Sequence, residues 1–500
     1  MERASSDSIR SISGRDVAIL AAVTLLGAVI YLAASALTYR VGFPLDDSWI
    51  HLTYARNLAE RHEWSFQPGQ LSAGSTSPLW TFLLAVGFWL HLGPYVWTYL
   101  LGQLVLLAMA LIAEFSVRKL SAGYRPRLPW VGLFFVAEWH LQWAALSGME
   151  TLLQALLVTA VLVLLLFGTR RYLVLGLLTG VSLWVRPDGL TLIGPVVLTI
   201  LLVERTLKAK GSALARYVIG LGALLLPYLA FNLLLSDTPM PNTFYAKQAE
   251  YAAWQAEPLF YRMAALLVQL LTGPSVILLP GVVGTAALAV RRRRWAVLAA
   301  ISWCAGYLLL YIVRLPPYQH GRYLMPAMPI FFLFGLLAYV EFRSSALFGK
   351  QHWRVQQVWA LSLLLVTAGF VVLGARSYGQ DVGLIESEMV VTAKWVSQNV
   401  PPQATVAAHD IGALGYFDNH RLIDLAGLVS PEVIPFIRDE AKLSDFLQQR
   451  HANYLVAFPA FYPVLSQARQ PVFTSGGRFA PSIGEKNMTV YLWSKLSTAP

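Results

Sequence analysis

Long apolar runs recur along this chain and limit what it can fold into. Of its 500 residues, 56% are hydrophobic and 13% are charged, whereas charged residues make up roughly a quarter of an ordinary soluble domain. Several windows reach about 18 or more predominantly apolar residues, the length that a helix needs to cross a hydrocarbon core. The sequence therefore predicts an α-helical polytopic membrane protein with about eleven transmembrane helices. The predicted spans are 16–36, 96–117, 128–146, 151–168, 172–187, 189–204, 216–235, 263–290, 295–313, 325–340 and 355–374.

One further apolar segment, residues 78–92, is short for a crossing and carries two tryptophans and His91. These features are typical of an interfacial or re-entrant helix. If this segment does not cross and the N-terminus is cytoplasmic, every strongly basic loop faces the cytoplasm, as basic loops do. If it crosses, all of those loops lie outside, so the charges favour the non-crossing interpretation. The basic residues are Arg3, Arg10 and Arg15, Arg118–Lys119 with Arg125 and Arg127, Arg170–Arg171, Arg205 to Arg216, Arg291–Arg294, and Arg343, Lys350 and Arg354.

The same charges predict a multi-pass protein of the plasma or inner membrane whose first loop and C-terminus are extracytoplasmic. They also account for the net charge of +11 without a nucleic-acid partner. The single cysteine, Cys304, lies in an apolar run, so neither an intrachain disulfide nor a cysteine-rich metal site can form.

The chain changes character near residue 376. Residues 1–375 are predicted to form the transmembrane catalytic domain, with a first outer loop at 37–95 that includes juxtamembrane helices. Residues 376–500 are more polar and alternate in hydropathy, which predicts a small extracytoplasmic α/β domain. We expect this domain to cover the outer cavity or to hold the acceptor, and we interpret the His409–Asp410 pair within it as structural packing.

Asp46 and Asp47 stand side by side at the outer end of the first span. Because an unpaired carboxylate near lipid is energetically costly, acids at such a boundary indicate a functional site. The other outer segments supply cations and aromatic residues that could face these acids, including Arg186, Lys247, Arg314, Arg322 and Tyr323. Such a set suits an anionic lipid headgroup next to a general base.

The chemistry that fits this set is glycosyl transfer from a lipid-phosphate sugar. A carboxylate can take the proton of an acceptor hydroxyl as it attacks the anomeric carbon. Arg and Lys can stabilise the negative charge that develops on the departing phosphate. A donor of this kind requires no nucleotide, which agrees with the lack of a Gly-rich phosphate-binding motif in the sequence.

The first outer loop resembles that of the GT-C polyprenyl-phosphate-sugar glycosyltransferases, and most closely their arabinofuranosyltransferase-like branch, near the protein O-mannosyltransferases. The similarity rests on the acid pair, on "YARNLA" at 54–59, on Pro68–Gly69 and on "GSTSPLW" at 74–80. Weaker similarities are "SGMET", "RPDG", "PNTFYAK", "GRYLMP" and "HDIGALGYF". Gln67 stands where the family often has Asn, and Ser72–Ala73 where it often has an acid before the glycine, which leaves the sugar specificity open.

The resemblance implies an inverting transfer with an acid of the first loop as the base. On this basis we predict Asp46 as the base and Asp47 as an assisting or orienting group. The predicted donor-binding residues are Arg56, Lys247, His320 and Arg322, with Trp49 and Tyr245 stacking on the sugar, and the predicted pocket-shaping residues are His51, Glu150, Arg186 and Asp188. A divalent cation at Asp46 and Asp47 is left open, because the family contains both metal-dependent and metal-independent members.

Two other functions fit the same sequence. A ligase or polymerase that moves whole oligosaccharides from a lipid carrier would use the same charges. A transporter, from a different class of protein, would have polar residues in the middle of its spans and related halves, and this sequence shows neither. The sugar, the acceptor (a glycan, a lipid or a protein), the length of the lipid and the oligomeric state are not encoded in any recognisable motif.

Overall fold

The computed structural model describes residues 12–121, 124–343, 351–467 and 469–495; Arg3, Arg10 and Lys350, named above, lie outside these ranges. Most of the described chain is helical. Its first nineteen α-helices are α1 Gly14–Thr38, α2 Asp47–Arg61, α3 Pro78–Trp89, α4 Pro94–Leu120, α5 Trp130–Ala137, α6 Trp139–Leu146, α7 Thr151–Leu166, α8 Tyr172–Val185, α9 Ile193–Val203, α10 Leu207–Ser236, α11 Asn242–Glu250, α12 Ala252–Ala256, α13 Leu259–Leu271, α14 Ser275–Arg291, α15 Trp295–Arg314, α16 Tyr318–Gly321, α17 Met328–Arg343, α18 His352–Ile385 and α19 Val391–Asn399.

Within the described ranges, six helices are long and apolar enough to cross a membrane, and seven if α13 and α14 count as one bent span. Four further apolar helical segments are shorter: α3, α7, α8 and the segment 187–203 that contains α9. The fold is therefore that of a multi-pass membrane protein, while the predicted number of eleven spans stays a prediction.

Two predicted spans are interrupted. Residues 128–146 divide into α5 and α6 at Glu138, whose backbone leaves the helical region and whose carboxylate accepts the Leu141 N–H at 3.1 Å. Residues 263–290 bend by 103° between α13 and α14, where Gly273 has a φ of +88° and Pro274 follows. A glycine in the left-handed region followed by proline stops a helix.

The predicted first outer loop, residues 37–95, has regular secondary structure. After α2 the chain reverses at His62, in the left-handed conformation, and pairs two short strands, β1 Ser65–Gln67 and β2 Gln70–Leu71. The segment predicted not to cross becomes α3, a helix of 12 residues with Pro78 in its first turn. Such a helix is only about 18 Å long. Its interfacial position stays a prediction.

A continuous helical stretch of 48 residues, His352–Asn399, links the helical core to the C-terminal region. The predicted domain boundary after residue 375 falls inside this stretch, and the first strand of the C-terminal region begins at Thr405. The remaining elements are β3 Thr405–Ala408, α20 Gly412–Phe417, β4 Arg421–Asp424, α21 Glu440–Gln449, β5 Tyr454–Ala457, α22 Pro463–Gln467, β6 Gln470–Thr474, α23 Phe479–Ser482 and β7 Thr489–Leu492.

These strands form one five-stranded sheet in the order β4-β3-β5-β7-β6. The β3 strand is parallel to β4 and β5, whereas β7 is antiparallel to both of its neighbours. Leu443 and Leu447 of α21 pack against Leu455 of β5 to form a separate small core. The other side of the sheet joins the main hydrophobic core through Val406 and Val456, so the α/β region is packed onto the helical region.

Side chains of the first outer loop bind the α/β region directly. Gln67 bonds Leu422 through both groups of its amide, donating to the carbonyl at 2.8 Å and accepting from the N–H at 3.1 Å. Arg56 donates to the carbonyls of Tyr416 and Gly415 at 2.7 and 3.2 Å. Helix α2 and the strand β1 that follows it are therefore attached to α20 and β4 of the α/β region.

Candidate functional site

The two aspartates begin α2 but make different contacts. Asp46 is 9% exposed, and its carboxylate accepts the N–H groups of Gly412 and Ala413 at 2.7 and 2.8 Å. These N–H groups lie in the first turn of α20, so the C-terminal region holds the side chain of Asp46. A Cβ at Gly412 would collide with the backbone carbonyl of Asp46, which explains why a glycine is needed at this contact.

The carboxylate of Asp47 faces two cations. Arg322 donates to Asp47 Oδ2 at 2.6 Å, and Lys247 Nζ lies 3.7 Å from the same oxygen. Arg322 and Lys247 each also donate to the hydroxyl of Tyr323 at 2.9 Å. The Asp47 side chain is 31% exposed and that of Arg322 is 5% exposed. Three distant segments thus meet at Asp47.

Arg322 keeps unused hydrogen-bonding capacity. Among the described residues, its Nε and Nη1 groups have no hydrogen-bond partner although both are buried. Because a buried donor without a partner is costly, these groups are positioned to bind an anion that enters the site. A planar guanidinium suits the oxygens of a phosphate.

A first cavity, of about 300 Å³, lies on one side of Asp47. Glu150 anchors its wall, lying 3.3 Å from His51 Nε2 and accepting from Arg186 Nη1 at 2.7 Å. Arg186 also pairs with Asp188 at 3.1 Å. Arg314 adds a further cation to the lining, and no described carboxylate lies within ion-pairing distance of it. The lining as a whole includes Asp47, His51, Glu150, Arg186, Asp188, Lys247, Tyr311, Arg314, Arg322 and Tyr323.

A second cavity, of about 710 Å³, lies between the acid pair and the C-terminal region. Asp46 and Asp410 line it, together with aromatic residues of α12 and of the segment after β5. His409, at the edge of this cavity, lies 3.3 Å from Glu250 and 2.8 Å from the hydroxyl of Tyr462. The two cavities share a wall that consists of Asp47, Ile50, Lys247, Arg322 and Leu428.

The environments of the two aspartates move their pKa values apart. Burial raises the pKa of Asp46, and the neighbouring charges of Asp410 and Asp47 raise it further, while the N–H groups of Ala413 and Gly412 oppose this rise. Burial alone would also raise the pKa of Asp47, but the charges of Lys247 and Arg322 outweigh it, and the pKa falls well below its usual range. Two adjacent carboxylates with opposite shifts can serve as a proton acceptor and a permanent charge.

The structure brings most of the predicted site residues together. Asp46 and Asp47 line the cavities, and so do Lys247 and Arg322 from the predicted donor-binding set and all four predicted pocket-shaping residues, His51, Glu150, Arg186 and Asp188.

Four residues predicted to bind the donor line neither of the two cavities. Trp49 is fully buried against Phe43, Tyr95, Tyr416 and Phe417. The guanidinium of Arg56 donates hydrogen bonds to the carbonyls of Tyr416 and Gly415. His320 forms a hydrogen bond with Asp381 at 2.8 Å and lies next to Trp139 and Trp143. Tyr245 packs against Phe244, and Phe244, not Tyr245, lines the first cavity.

Sequence reasoning missed the contribution of the C-terminal region. Gly412 and Ala413 hold Asp46 through backbone N–H groups, which leave no side-chain signal apart from the glycine itself. Asp410, interpreted above as structural packing together with His409, lines the second cavity with one carboxylate oxygen that has no described partner.

The acid pair does not have the surroundings of a metal site. Within the described ranges, no three His, Cys, Asp or Glu side chains are placed to hold a metal ion together. Both oxygens of Asp46 accept N–H groups, and Asp47 Oδ2 contacts Arg322 and Lys247, so these N–H groups and cations would compete with a metal ion. The surroundings of Asp46 and of Asp47 Oδ2 therefore do not fit a divalent cation, and no step below passes through one.

The acid-bearing first loop, the multi-pass helical core and the C-terminal α/β region together form a fold that is similar to the fold of solved GT-C glycosyltransferases. Comparison with solved structures shows this fold. ArnT from Cupriavidus metallidurans, bound to undecaprenyl phosphate, superimposes with a TM-score of 0.59 at 16% sequence identity, covering 97% of this chain and 99% of that chain. The mycobacterial arabinofuranosyltransferase AftD superimposes with a TM-score of 0.53 at 15% identity, over 98% of this chain and 40% of that one.

Sequence comparison adds a curated relative. The terminal β-(1→2)-arabinofuranosyltransferase of Mycobacterium tuberculosis H37Rv is 27% identical over 425 residues, which cover 75% of this chain and 65% of the relative. The chain thus spans just under two thirds of the length of this relative. A family model described as a domain of unknown function (DUF8728) matches residues 380–491, which include all of the five-stranded sheet except Leu492, the last residue of β7.

Proposed function

We propose that this protein is a membrane glycosyltransferase that moves a sugar from a polyprenyl-phosphate donor to an acceptor hydroxyl on the extracytoplasmic face of the plasma or inner membrane. The GT-C fold, the curated arabinofuranosyltransferase relative and the apolar helices support this class of enzyme. The observation that carries the proposal is the shared wall of the two cavities, where Asp47 holds Arg322 and Lys247 beside Asp46.

In this proposal the first cavity holds the sugar phosphate of the donor. Arg322 has two unused buried donors, and Lys247, Arg186 and Arg314 line the same space, so the phosphate meets cations from several sides. Cations fixed before the reaction stabilise charge that grows on a leaving phosphate without reorganising. Asp47 keeps Arg322 and Lys247 in place and remains charged because its pKa is lowered.

Asp46 then acts as the base. The oxygen of the acceptor hydroxyl attacks the anomeric carbon while its proton passes to a carboxylate oxygen of Asp46. The bond between the anomeric carbon and the phosphate oxygen breaks, and its electron pair leaves with the polyprenyl phosphate. Attack from the side opposite the phosphate inverts the anomeric configuration. The raised pKa of Asp46 suits a base that must accept a proton near neutral pH.

Transfer of a whole oligosaccharide is the second candidate. The volume of the first cavity, about 300 Å³, is at the lower end of the roughly 300–1,000 Å³ of ligand pockets. This size favours a single sugar with its phosphate over an oligosaccharide, so we place monosaccharide transfer first.

The test uses purified full-length protein with a radiolabelled polyprenyl-phosphate monosaccharide and a cell-envelope glycan acceptor. Asp46→Asn keeps the shape of the side chain and removes the base, so transfer should fall roughly 10²–10⁴-fold. Asp445→Asn, an exposed acid on α21, is the matched control and should retain full activity. Unchanged transfer by Asp46→Asn would show that Asp46 is not the base. Transport of the lipid without sugar transfer would refute the proposal.

A further inference from the structure

The second cavity differs in charge from the first. Apart from the shared wall, its lining has five carboxylates and two basic side chains, Arg438 and His409. Arg438 lies 3.6 Å from Glu250, and His409 contacts the same carboxylate. Among the described residues, the other acids of this lining have no cation within ion-pairing distance. These are Asp46, Glu257, Asp410 and Glu485.

The cavity also contains unused polar atoms of opposite kind. Trp254 Nε1 is a buried donor and Asp410 Oδ2 a buried acceptor, and neither has a hydrogen-bond partner among the described residues. Buried polar groups normally have partners, so these two atoms of the lining suit a ligand that both donates and accepts. A hydroxyl group does both.

Aromatic side chains complete the lining. Tyr318 and Phe461 are 55% and 44% exposed, and Tyr251 and Phe458 line the same space. A sugar ring has apolar C–H faces and a rim of hydroxyls, so it matches aromatic surfaces combined with carboxylates. A phosphorylated or otherwise anionic group would meet several carboxylates that have no described ion-pair partner, which disfavours its binding.

We infer that the second cavity binds the acceptor, and that the acceptor is an uncharged glycan rather than a phosphorylated glycan or lipid. This inference rests on the proposed function, since it takes the first cavity to hold the donor. The first cavity then binds the donor phosphate through its cations, and the second cavity binds the acceptor hydroxyls through its carboxylates. The two substrates come into contact at the shared wall beside Asp46.

A binding experiment tests the charge selectivity without any sugar transfer. Purified full-length protein is saturated with polyprenyl phosphate, which occupies the cationic cavity, and is titrated with neutral arabino-, manno- and galacto-oligosaccharides and with their phosphate monoesters. We expect at least one neutral oligosaccharide to bind at least tenfold more tightly than its monoester. Equal or tighter binding of the monoesters, or binding of no neutral oligosaccharide, would overturn the inference.

Trp254→Phe locates the site, because it keeps an aromatic ring and removes only the Nε1 donor. It should weaken binding of the neutral oligosaccharide several-fold, whereas Trp89→Phe, on α3 outside both cavities, should leave it unchanged. Unaltered binding by Trp254→Phe would refute the assignment to this cavity. Hydrolysis of the labelled donor in the absence of acceptor is measured separately, so failure of the donor chemistry is distinguished from failure of the acceptor inference.

Discussion

The amide of Gly412 donates to Asp46 Oδ2 at 2.7 Å, so a residue of the C-terminal region fixes the carboxylate that we propose as the base. The two residues are 366 positions apart in sequence. Under the proposed function, the α/β region is thereby part of the reaction site.

Replacing this glycine tests the connection. In Gly412→Ala the added Cβ collides with the backbone of Asp46, so α20 and α2 must separate and the base must move. A displacement of about 1 Å in a catalytic group costs on the order of 10²-fold in rate, and we expect a fall in kcat of that size with the protein still folded. Gly369→Ala on α18, where a Cβ meets no atom within 4 Å, is the matched control. Equal kcat in both variants would show that Asp46 does not depend on α20.

The opposite pKa shifts of the two aspartates predict the pH profile. Asp46 works as a base only when ionised, so kcat should fall as pH drops through its raised pKa, well above the ordinary carboxyl value of about 3.9. Asp47, whose pKa is lowered, stays ionised over the same range and contributes no second step. Because the charge of Asp410 raises the pKa of Asp46, Asp410→Asn should move the acidic limb of kcat to lower pH. The measurement is kcat against pH at saturating acceptor, and an acidic limb that Asp410→Asn leaves in place would contradict the assignment.

Helical geometry explains which predicted residues of α2 line the first cavity. Asp47, Ile50 and His51 are spaced i, i+3 and i+4 on α2, and all three line the first cavity; residues at this spacing share one face of a helix. Arg56 lies nine residues after Asp47, which at 3.6 residues per turn is half a turn away from that face. Trp49 also points away from it. Arg56 and Trp49 are close to the acid pair in sequence, which suggested them for the site. The periodicity of α2 places their side chains away from the first cavity.

The long apolar helices could be predicted because hydropathy is a local property, while the number of spans stays a prediction. The acid pair stood out because acids are rare near lipid. The bend between α13 and α14 also had a local signal, the pair Gly273–Pro274. A hydropathy average over a long window does not detect two such residues. By contrast, the contacts of Asp46 with Gly412 and of Asp47 with Arg322 join segments hundreds of residues apart. Such pairings depend on tertiary packing, and no spacing in a single sequence specifies them.

Arg56 is expected to stabilise the fold without binding the donor. Arg56→Ala removes two hydrogen bonds to carbonyls of the α/β region and a cation–π contact with Tyr416, whose ring lies 4.7 Å away. Such contacts contribute about 1–3 kcal/mol, so Tm should fall while the KM for the polyprenyl-phosphate sugar stays within twofold. Thermal unfolding and donor titration measure the two effects. A rise in the donor KM with no change in Tm would instead show that Arg56 binds the donor.

Arg322 should be more sensitive to a conservative change than its charge alone implies. Arg322→Lys keeps a positive charge near Asp47 but loses the planar guanidinium, including the two donors that the protein leaves unused. Hydrogen bonds to charged groups contribute about 1.5–3 kcal/mol, so the donor KM should rise roughly 10–100-fold, while Arg450→Lys, a surface residue paired with Glu432, should change it less than twofold. Initial rates at varied donor concentration provide the measurement. A lysine cannot reproduce the paired contacts of one guanidinium. An unchanged donor KM in Arg322→Lys would therefore show that the donor phosphate needs only a positive charge at this position.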